Sequence, residues 1–275
     1  YQDTLILAFR YLAFVLVLID VGMQACAKEY PTPDCGPIRL HQIFTLPFRY
    51  RKFLLCMLLM FYWNFISNLN NGLWNYHLLN HMHFSYTLIN TMSVAYTVVL
   101  VLTSGVWRRL LRRYSWIKTF GIANLIWVPT EVLFFLMTPE RAYLYVPLCI
   151  AQHLMAVGMN LSYANVLYMN LPEENATAHI AFYSIGCNLF AFLGLMTGTA
   201  ISGITGDATF SFLGMPTYSV QFTTLARAVT MGAVAFICLR HWRAFTRDED
   251  IADVEAQDEV SRTHRAMRRK AQQRG

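Results

Sequence analysis

Charged residues are scarce in this chain of 275 residues, and their scarcity excludes a water-soluble domain. Only 14% of the residues are charged, whereas 56% are hydrophobic, and the mean hydropathy is +0.36. An ordinary soluble domain has roughly a quarter of its residues charged. The composition therefore indicates a membrane protein.

Other missing signals exclude further classes of function. The six cysteines show no C-x-x-C spacing, so we expect neither disulfides nor a structural zinc site. His77, His81 and His83 include an i,i+4 pair but have no acidic neighbour, which favours a polar interfacial cap over a metal site. Neither a Gly-rich phosphate loop nor a nucleophile elbow occurs. We expect no enzymatic activity, no cofactor, no bound metal and no nucleic-acid partner.

What the chain does have is apolar runs of roughly 20 residues, the length of a helix that crosses a bilayer. There are seven of them: Thr4–Cys26, Phe53–Tyr76, Tyr86–Val106, Ile117–Met137, Ala142–Leu167, Ile180–Ile204 and Phe222–Leu239. Each must be helical, because an open strand would leave backbone polar groups unpaired in lipid. The prediction is an all-α polytopic membrane protein with seven transmembrane helices.

The positions of Lys and Arg predict the orientation. Nineteen lie in one alternating set of connections and in the C-terminal tail, whereas the other set contains only Arg141. Cytoplasmic loops retain positive charge during insertion. We therefore expect a multi-pass protein of the plasma or inner cell membrane with a cytoplasmic C-terminus.

The densest positive charge lies in SGVWRRLLRRYSWIKTF, residues 104–120. This stretch resembles a motif of the major facilitator superfamily, in which the inner loop between the second and third helices of each half reads approximately G-x-x-x-D-R-x-G-R. Trp107 and Leu110 stand where many relatives have Trp and Leu. Arg112 replaces the usual Asp and Ser115 the usual Gly, so the loop resembles the degenerate copy in the C-terminal half.

Two other stretches resemble the same family. NLSYANVLYMNLPEENATAHIAFYSIGCNLFAFLG is similar to the tenth helix, the Pro-Glu inner turn and the start of the eleventh helix. FTLPFRYRKFLL is similar to the basic entry to the seventh helix. The resemblance implies a secondary active transporter that works by alternating access, with the last six helices arranged as two three-helix repeats.

The resemblance also divides the chain. It implies the last transmembrane helix of an N-terminal half at 1–26, a cytoplasmic central loop at 27–52, a C-terminal six-helix bundle at 53–245 and a charged cytoplasmic tail at 246–275. The expected partners are a small-molecule solute, the lipid bilayer and the N-terminal half of the same transporter, whose first five helices are absent from this sequence.

A stripe of amides marks the second span. Asn64, Asn68, Asn71 and Asn75 recur at spacings of four, three and four, which is one face of a helix. One interpretation is interhelical hydrogen bonding that holds a bundle together. The other is the polar wall of a solute pathway, which the resemblance supports. Asn70, Gly72 and Trp74 lie between these amides and would allow the outer end of the helix to bend.

The fifth span carries a second polar set, consisting of Gln152, His153, Asn160 and Tyr163. His153 and Asn160 are seven residues apart and share a helix face. His153 is either a neutral hydrogen-bonding residue of the bundle or a group that titrates during proton-coupled transport. The second, third, fifth and sixth spans have no carboxylate or arginine at mid-membrane depth, so we expect a neutral or weakly polar solute.

The remaining charges have two interpretations each. The four arginines of the basic loop either form a cytoplasmic gate or only anchor the topology: Arg108, Arg109, Arg112 and Arg113. Glu131 and Arg227 lie at matching depth, which allows a structural ion pair between them, and Arg10 competes for the same carboxylate. Asp20, near the inner end of the first span, is expected to reach either interfacial water or the Lys28 region.

Two other functions remain open at the level of the sequence. A seven-helix receptor fits the helix count and the orientation, although the last span has no Lys for a retinal Schiff base and no Asp-Arg-Tyr follows the third span. A membrane scaffold that does not transport is the second alternative.

Overall fold

The computed structural model describes residues 2–26, 40–71, 73–206, 208–212, 214–247 and the single positions 251, 252, 254 and 256. The chain divides into two units, Tyr1–Pro37 and Ile38–Gly275. The first unit contains α1 (Gln2–Ala25), whose most apolar part is Phe14–Met23. Residues 27–39, half of the predicted central loop, lie outside the described residues.

The second unit consists mainly of α-helices joined by short connections. In chain order they are α2 (Leu40–Thr45), α3 (Arg51–Asn68), α4 (Leu73–Asn80), α5 (Tyr86–Arg113), α6 (Trp116–Phe135), α7 (Tyr145–Met169), α8 (Ala176–Thr205) and α9 (Ser219–Arg240). Short 3-10 helices occupy Leu46–Arg49, Pro139–Leu144 and Trp242–Phe245. The end of the bundle where α5, α7 and α9 finish and α3, α6 and α8 start is called the basic end below.

Within the described residues, six helical segments are long and apolar enough to cross a membrane: Arg51–Asn80, Tyr86–Arg113, Trp116–Phe135, Pro139–Met169, Ala176–Thr205 and Ser219–Arg240. They correspond to the last six predicted spans. The first predicted span forms α1, in which the apolar stretch is shorter. The count of seven transmembrane helices therefore stays a prediction.

A β-hairpin that the hydropathy pattern did not predict joins α8 to α9. Its strands are β1 (Thr209–Phe212) and β2 (Met215–Tyr218), which pair antiparallel. Gly214 in the turn has a φ of 77°, a conformation that favours glycine. The Phe212 ring meets Phe135 of α6 edge-on at 5.1 Å, so the hairpin packs on the end of the bundle opposite the basic end.

Four helix contacts organise the bundle. α6 packs between α7 and α9, α3 packs on α8, and α5 packs on α7. Gly194 and Gly198 of α8 let α3 approach closely. A Cβ atom at Gly194 would lie 2.1 Å from the Phe65 carbonyl oxygen, and one at Gly198 would lie 1.9 Å from that of Leu69.

Candidate solute cavity

A cavity of about 280 Å³ lies between α3, α6 and α7. It is lined by Trp63, Asn64, Ser67, Trp127, Ala156, Met159, Asn160 and Tyr163. These side chains are aromatic, amide, hydroxyl or aliphatic in character, and none is charged. Ligand sites have this composition, with mostly apolar walls and a few polar groups that fix the orientation of the ligand.

Hydrogen bonds hold the polar part of this wall in place. The Asn64 amide nitrogen donates to the Tyr163 hydroxyl at 2.8 Å, which joins α3 to α7. The Asn160 amide nitrogen donates to the Tyr96 hydroxyl of α5 at 2.7 Å. The tertiary structure thus brings Asn64, Asn160 and Tyr163, three of the residues predicted to line the pathway, to one cavity.

The predicted stripe of amides does not run straight along one helix. The Asn68 amide donates to the Asn64 carbonyl oxygen at 2.8 Å, and the Asn71 amide donates to Asn68 Oδ1 at 3.3 Å. α3 ends at Asn68 and α4 begins only at Leu73, so Asn75 belongs to a different helix, where it is exposed. The break changes the direction of the face that a continuous helix would present.

Asn70 lies in the break between α3 and α4 and was not part of the predicted stripe. It is 3% exposed, and its amide nitrogen donates to Thr224 Oγ1 of α9 at 2.8 Å. Its Oδ1 accepts from the Thr223 hydroxyl. The bend predicted here from Asn70, Gly72 and Trp74 coincides with the break, although Gly72 itself lies outside the described residues. In the sequence, the only sign of these partners was the pair Thr223 and Thr224 within an apolar span.

His153 links α7 to α5. Its Nε2 lies 2.8 Å from the Met92 carbonyl oxygen, and its ring meets the Tyr96 ring at 5.5 Å. Because Tyr96 also holds Asn160, His153 and Asn160 face the same helix, as their spacing predicted. Gln152, the fourth predicted pathway residue of α7, points elsewhere and contacts Glu131.

Glu131 is the centre of a buried polar cluster. Its Oε1 accepts from Trp127 Nε1 at 2.8 Å and from Gln152 Nε2 at 2.9 Å, and it forms an ion pair with Arg227 Nη2. Glu131 is fully buried, and among the described residues its Oε2 has no hydrogen-bond partner. The Glu131–Arg227 pair, which the matching depths suggested, thus joins α6 to α9.

A second, smaller cavity of about 50 Å³ borders this cluster. Its walls are Asn70, Trp74, Glu131, Phe134, Gln152, Thr224 and Arg227. The two cavities share the helices α6 and α7. Trp127 lines the larger cavity and donates to Glu131, which lines the smaller one.

The chain after α9 closes the basic end of the bundle. Asn170 Nδ2 donates to the Phe245 carbonyl oxygen at 2.5 Å and contacts Cys56 Sγ at 3.1 Å. Thr246 is fully buried. Trp242–Phe245 and Thr246 therefore pack against the bundle, and the predicted tail 246–275 stays a prediction. Most of that tail, including 257–275, lies outside the described residues.

A comparison with family models matches residues 53–269 to the Major Facilitator Superfamily. The chain belongs to this family. Comparisons with curated protein sequences and with solved structures returned no significant match. Since the superfamily consists of transporters, the protein is a multi-pass membrane transporter of small-molecule solutes in a lipid bilayer. Members are generally not enzymes, and the receptor and scaffold alternatives are not favoured.

The arginines that resemble the superfamily motif are helical. α5 continues to Arg113, which leaves Tyr114 and Ser115 as the connection to α6. Ser115 Oγ caps α6 by accepting from the Lys118 amide at 3.2 Å. All four arginines are exposed: Arg108, Arg109, Arg112 and Arg113.

The superfamily Trp of this motif anchors the basic end of α5. Trp107 Nε1 donates to the Leu154 carbonyl oxygen of α7 at 2.8 Å. The indole ring lies against Gly158, where a Cβ atom would be 2.3 Å from it. Trp107 therefore holds the last turns of α5 against α7, and α5 continues past the predicted boundary at Val106.

The other predicted groups lie away from the cavity or outside its unit. Asp20 lies on α1 in the first unit. Across the described positions, no group of three or more His, Cys, Asp or Glu residues is placed to hold a metal ion. His77 is buried at 1% exposure, the His81 ring stacks on Tyr218 at 3.8 Å, and His83 is exposed.

Proposed function

We propose that this transporter moves a small neutral or weakly polar solute by alternating access, as a secondary active transporter. The uncharged cavity between α3, α6 and α7 carries the proposal. A strongly charged solute would lose its hydration there without gaining an opposite charge. Sugars and drug-like amphiphiles combine hydrogen-bonding groups with apolar faces, which matches a wall of amides and indole rings.

The packing of the helices supports two three-helix repeats, one formed by α3, α5 and α6 and the other by α7, α8 and α9. In these repeats α3 corresponds to α7, and α5 corresponds to α8. The first helix of each repeat should therefore pack on the second helix of the other, and the structure has both contacts, α3 with α8 and α7 with α5. In the proposed mechanism, the cavity faces the N-terminal half of the transporter, and the two halves rock about it. α5 and α8 offer the faces for this half, because only 11% of the most apolar window of each is buried.

We propose that the basic end lies on the cytoplasmic side of the plasma or inner membrane. The exposed arginines at the end of α5 and Arg240 at the end of α9 support this orientation, since positive charge is retained on the cytoplasmic side. The C-terminal tail is then cytoplasmic as well.

Proton coupling through His153 is the second part of the proposal. His153 contacts Tyr96, and Tyr96 holds Asn160 in the cavity wall, so a change of charge on the imidazole would reach the solute site through two contacts. Uptake under an imposed pH gradient tests this part. Proton-dependent accumulation that is unaltered in His153→Gln would remove His153 from the mechanism.

The solute class is tested by uptake into proteoliposomes that contain the transporter together with its N-terminal half. The panel comprises D-glucose, mannitol and uridine as neutral solutes, with lactate and lysine as charged ones. We expect accumulation of a neutral solute. Asn64→Ala and Asn160→Ala should each lower kcat/KM roughly three- to tenfold, because each removes one hydrogen-bonding amide from the wall.

Asn165→Ala is the matched control for these variants. Asn165 lies on the same helix as Asn160 but outside the cavity lining, and its amide donates to the Leu161 carbonyl oxygen of its own helix at 2.7 Å. Its uptake should stay within about twofold of the wild type, the size expected for a local hydrogen bond. Accumulation of lactate or lysine in place of the neutral solutes would show that the proposed solute class is wrong.

A further inference from the structure

Trp127 belongs to two features of the fold at once. Its indole ring lines the 280 Å³ cavity, and its Nε1 donates to Glu131 Oε1 at 2.8 Å. Glu131 is four residues later on α6, and it does not line that cavity itself. The Trp127 ring in the cavity wall is therefore hydrogen-bonded to a carboxylate that lies outside the cavity.

The backbone of α6 is irregular next to Trp127. Pro129 lies inside α6, where it cannot donate a hydrogen bond to the Leu125 carbonyl oxygen and its ring crowds that oxygen. Thr130 Oγ1 donates to the Trp127 carbonyl oxygen at 2.7 Å, which further alters the local helix hydrogen bonding.

The carboxylate that holds the indole is itself held from two other helices. Gln152 of α7 donates to the same oxygen at 2.9 Å, and Arg227 of α9 forms an ion pair with it. Hydrogen bonds with an ionised partner are stronger than neutral ones, and a fully buried carboxylate cannot exchange them for water. Contacts from α7 and α9 thus restrain Glu131 Oε1 of α6, and this oxygen in turn restrains the Trp127 indole.

We infer that Glu131 is a positioning residue for the solute cavity: through its hydrogen bond it sets the orientation of the Trp127 ring, and so selects neutral solutes that present an apolar face to the indole. This inference rests on the proposed function of the cavity. Gln152 and Arg227 support the same orientation by restraining the carboxylate. A pair that only braced α6 against α9 would have no effect on the indole beyond its effect on stability.

Two double variants separate positioning from bracing. In Glu131→Gln with Arg227→Gln, both charges are removed, but the amide that replaces the carboxylate retains an acceptor oxygen for the indole. In Glu131→Met with Arg227→Gln, the charges are removed in the same way and the acceptor is lost. Both variants lack the ion pair, so a difference between them reports the acceptor oxygen that Trp127 shares with Gln152. The emission of Trp127 then shows whether this oxygen orients the indole.

The first readout is the fluorescence of Trp127, obtained in each background as the difference between the protein and its Trp127→Phe version. We expect the emission maximum and the quenching by acrylamide to match the wild type in the Gln variant and to change in the Met variant. If the Met variant does not fold, Gln152→Ala should give a smaller change in the same direction. Identical Trp127 emission and quenching in the Gln and Met variants would overturn the inference.

The second readout is the uptake of the panel solute that the wild type accumulates. The KM should rise roughly tenfold in the Met variant, the size of one lost hydrogen bond, with the kcat within about twofold, and it should stay within about twofold in the Gln variant. An unchanged KM in the Met variant would contradict the inference. If the wild type accumulates lactate or lysine in place of the neutral solutes, the proposed function fails, while the fluorescence still decides whether Glu131 orients Trp127.

Discussion

Gly198 of α8 lies against the carbonyl oxygen of Leu69, at the point where α3 ends. A Cβ atom at this position would be 1.9 Å from that oxygen. An ordinary carbon–oxygen contact is about 3.3 Å or longer, so Gly198→Ala requires α3 and α8 to move apart by roughly 1.5 Å. The obstacle is backbone, which cannot rotate away as a flexible side chain can.

The expected cost is that of inserting a methyl group into a closely packed interface, about 1–3 kcal/mol. For a chain of this size, each kcal/mol lowers the Tm by roughly 2–4 °C. We therefore expect the Tm of Gly198→Ala to fall by roughly 2–12 °C. The measurement is thermal unfolding in detergent micelles, followed by intrinsic fluorescence.

Gly203→Ala on the same helix is the control. A Cβ atom there would have no neighbour within 4 Å. Both variants gain the same intrinsic helix propensity of alanine over glycine, up to about 1 kcal/mol, so the difference between them isolates the contact with α3. We expect Gly203→Ala to unfold at or slightly above the wild-type Tm. If Gly198→Ala is as stable as Gly203→Ala, the close approach of α3 and α8 does not require glycine at position 198.

Two further predictions concern the basic end. Asn170→Ala removes the donor that holds the Phe245 carbonyl oxygen beside Cys56, so a maleimide should label Cys56 several-fold faster than in the wild type; an unchanged rate would contradict the closure of this end by the chain after α9. Replacing the four arginines of α5 by lysine keeps the charge but loses directed bidentate bonds, so transport should fall if they form a gate and stay unchanged if they only anchor the topology. The arginines in this uptake assay are Arg108, Arg109, Arg112 and Arg113.

Hydropathy and charge were sufficient to predict the membrane class and the last six spans, because the length of an apolar run and the bilayer thickness are local properties of the chain. Three quoted motifs were sufficient to suggest the superfamily, which the family match confirms. Helical spacing also placed His153 and Asn160 on one face, and matching depth suggested the Glu131–Arg227 pair.

The positions of helix ends depended on neighbouring helices. α5 continues to Arg113 because Trp107 is held by α7, a contact 47 residues away in the chain. The second span breaks after Asn68, where Asn70 turns towards α9 to bond Thr224. An apolar window cannot show either effect, because hydropathy does not record which helix lies alongside.

The sequence by itself determined that this protein crosses a membrane and which side chains were polar enough to need partners there. Only the tertiary structure decided which partners they have. It separated Gln152, which reaches Glu131, from its neighbour His153, which reaches Met92. It also added Trp127, which no spacing had singled out, to the wall of the cavity. The physical reason is that successive residues of a helix point about 100° apart, so the choice of neighbouring helix assigns each side chain its surroundings.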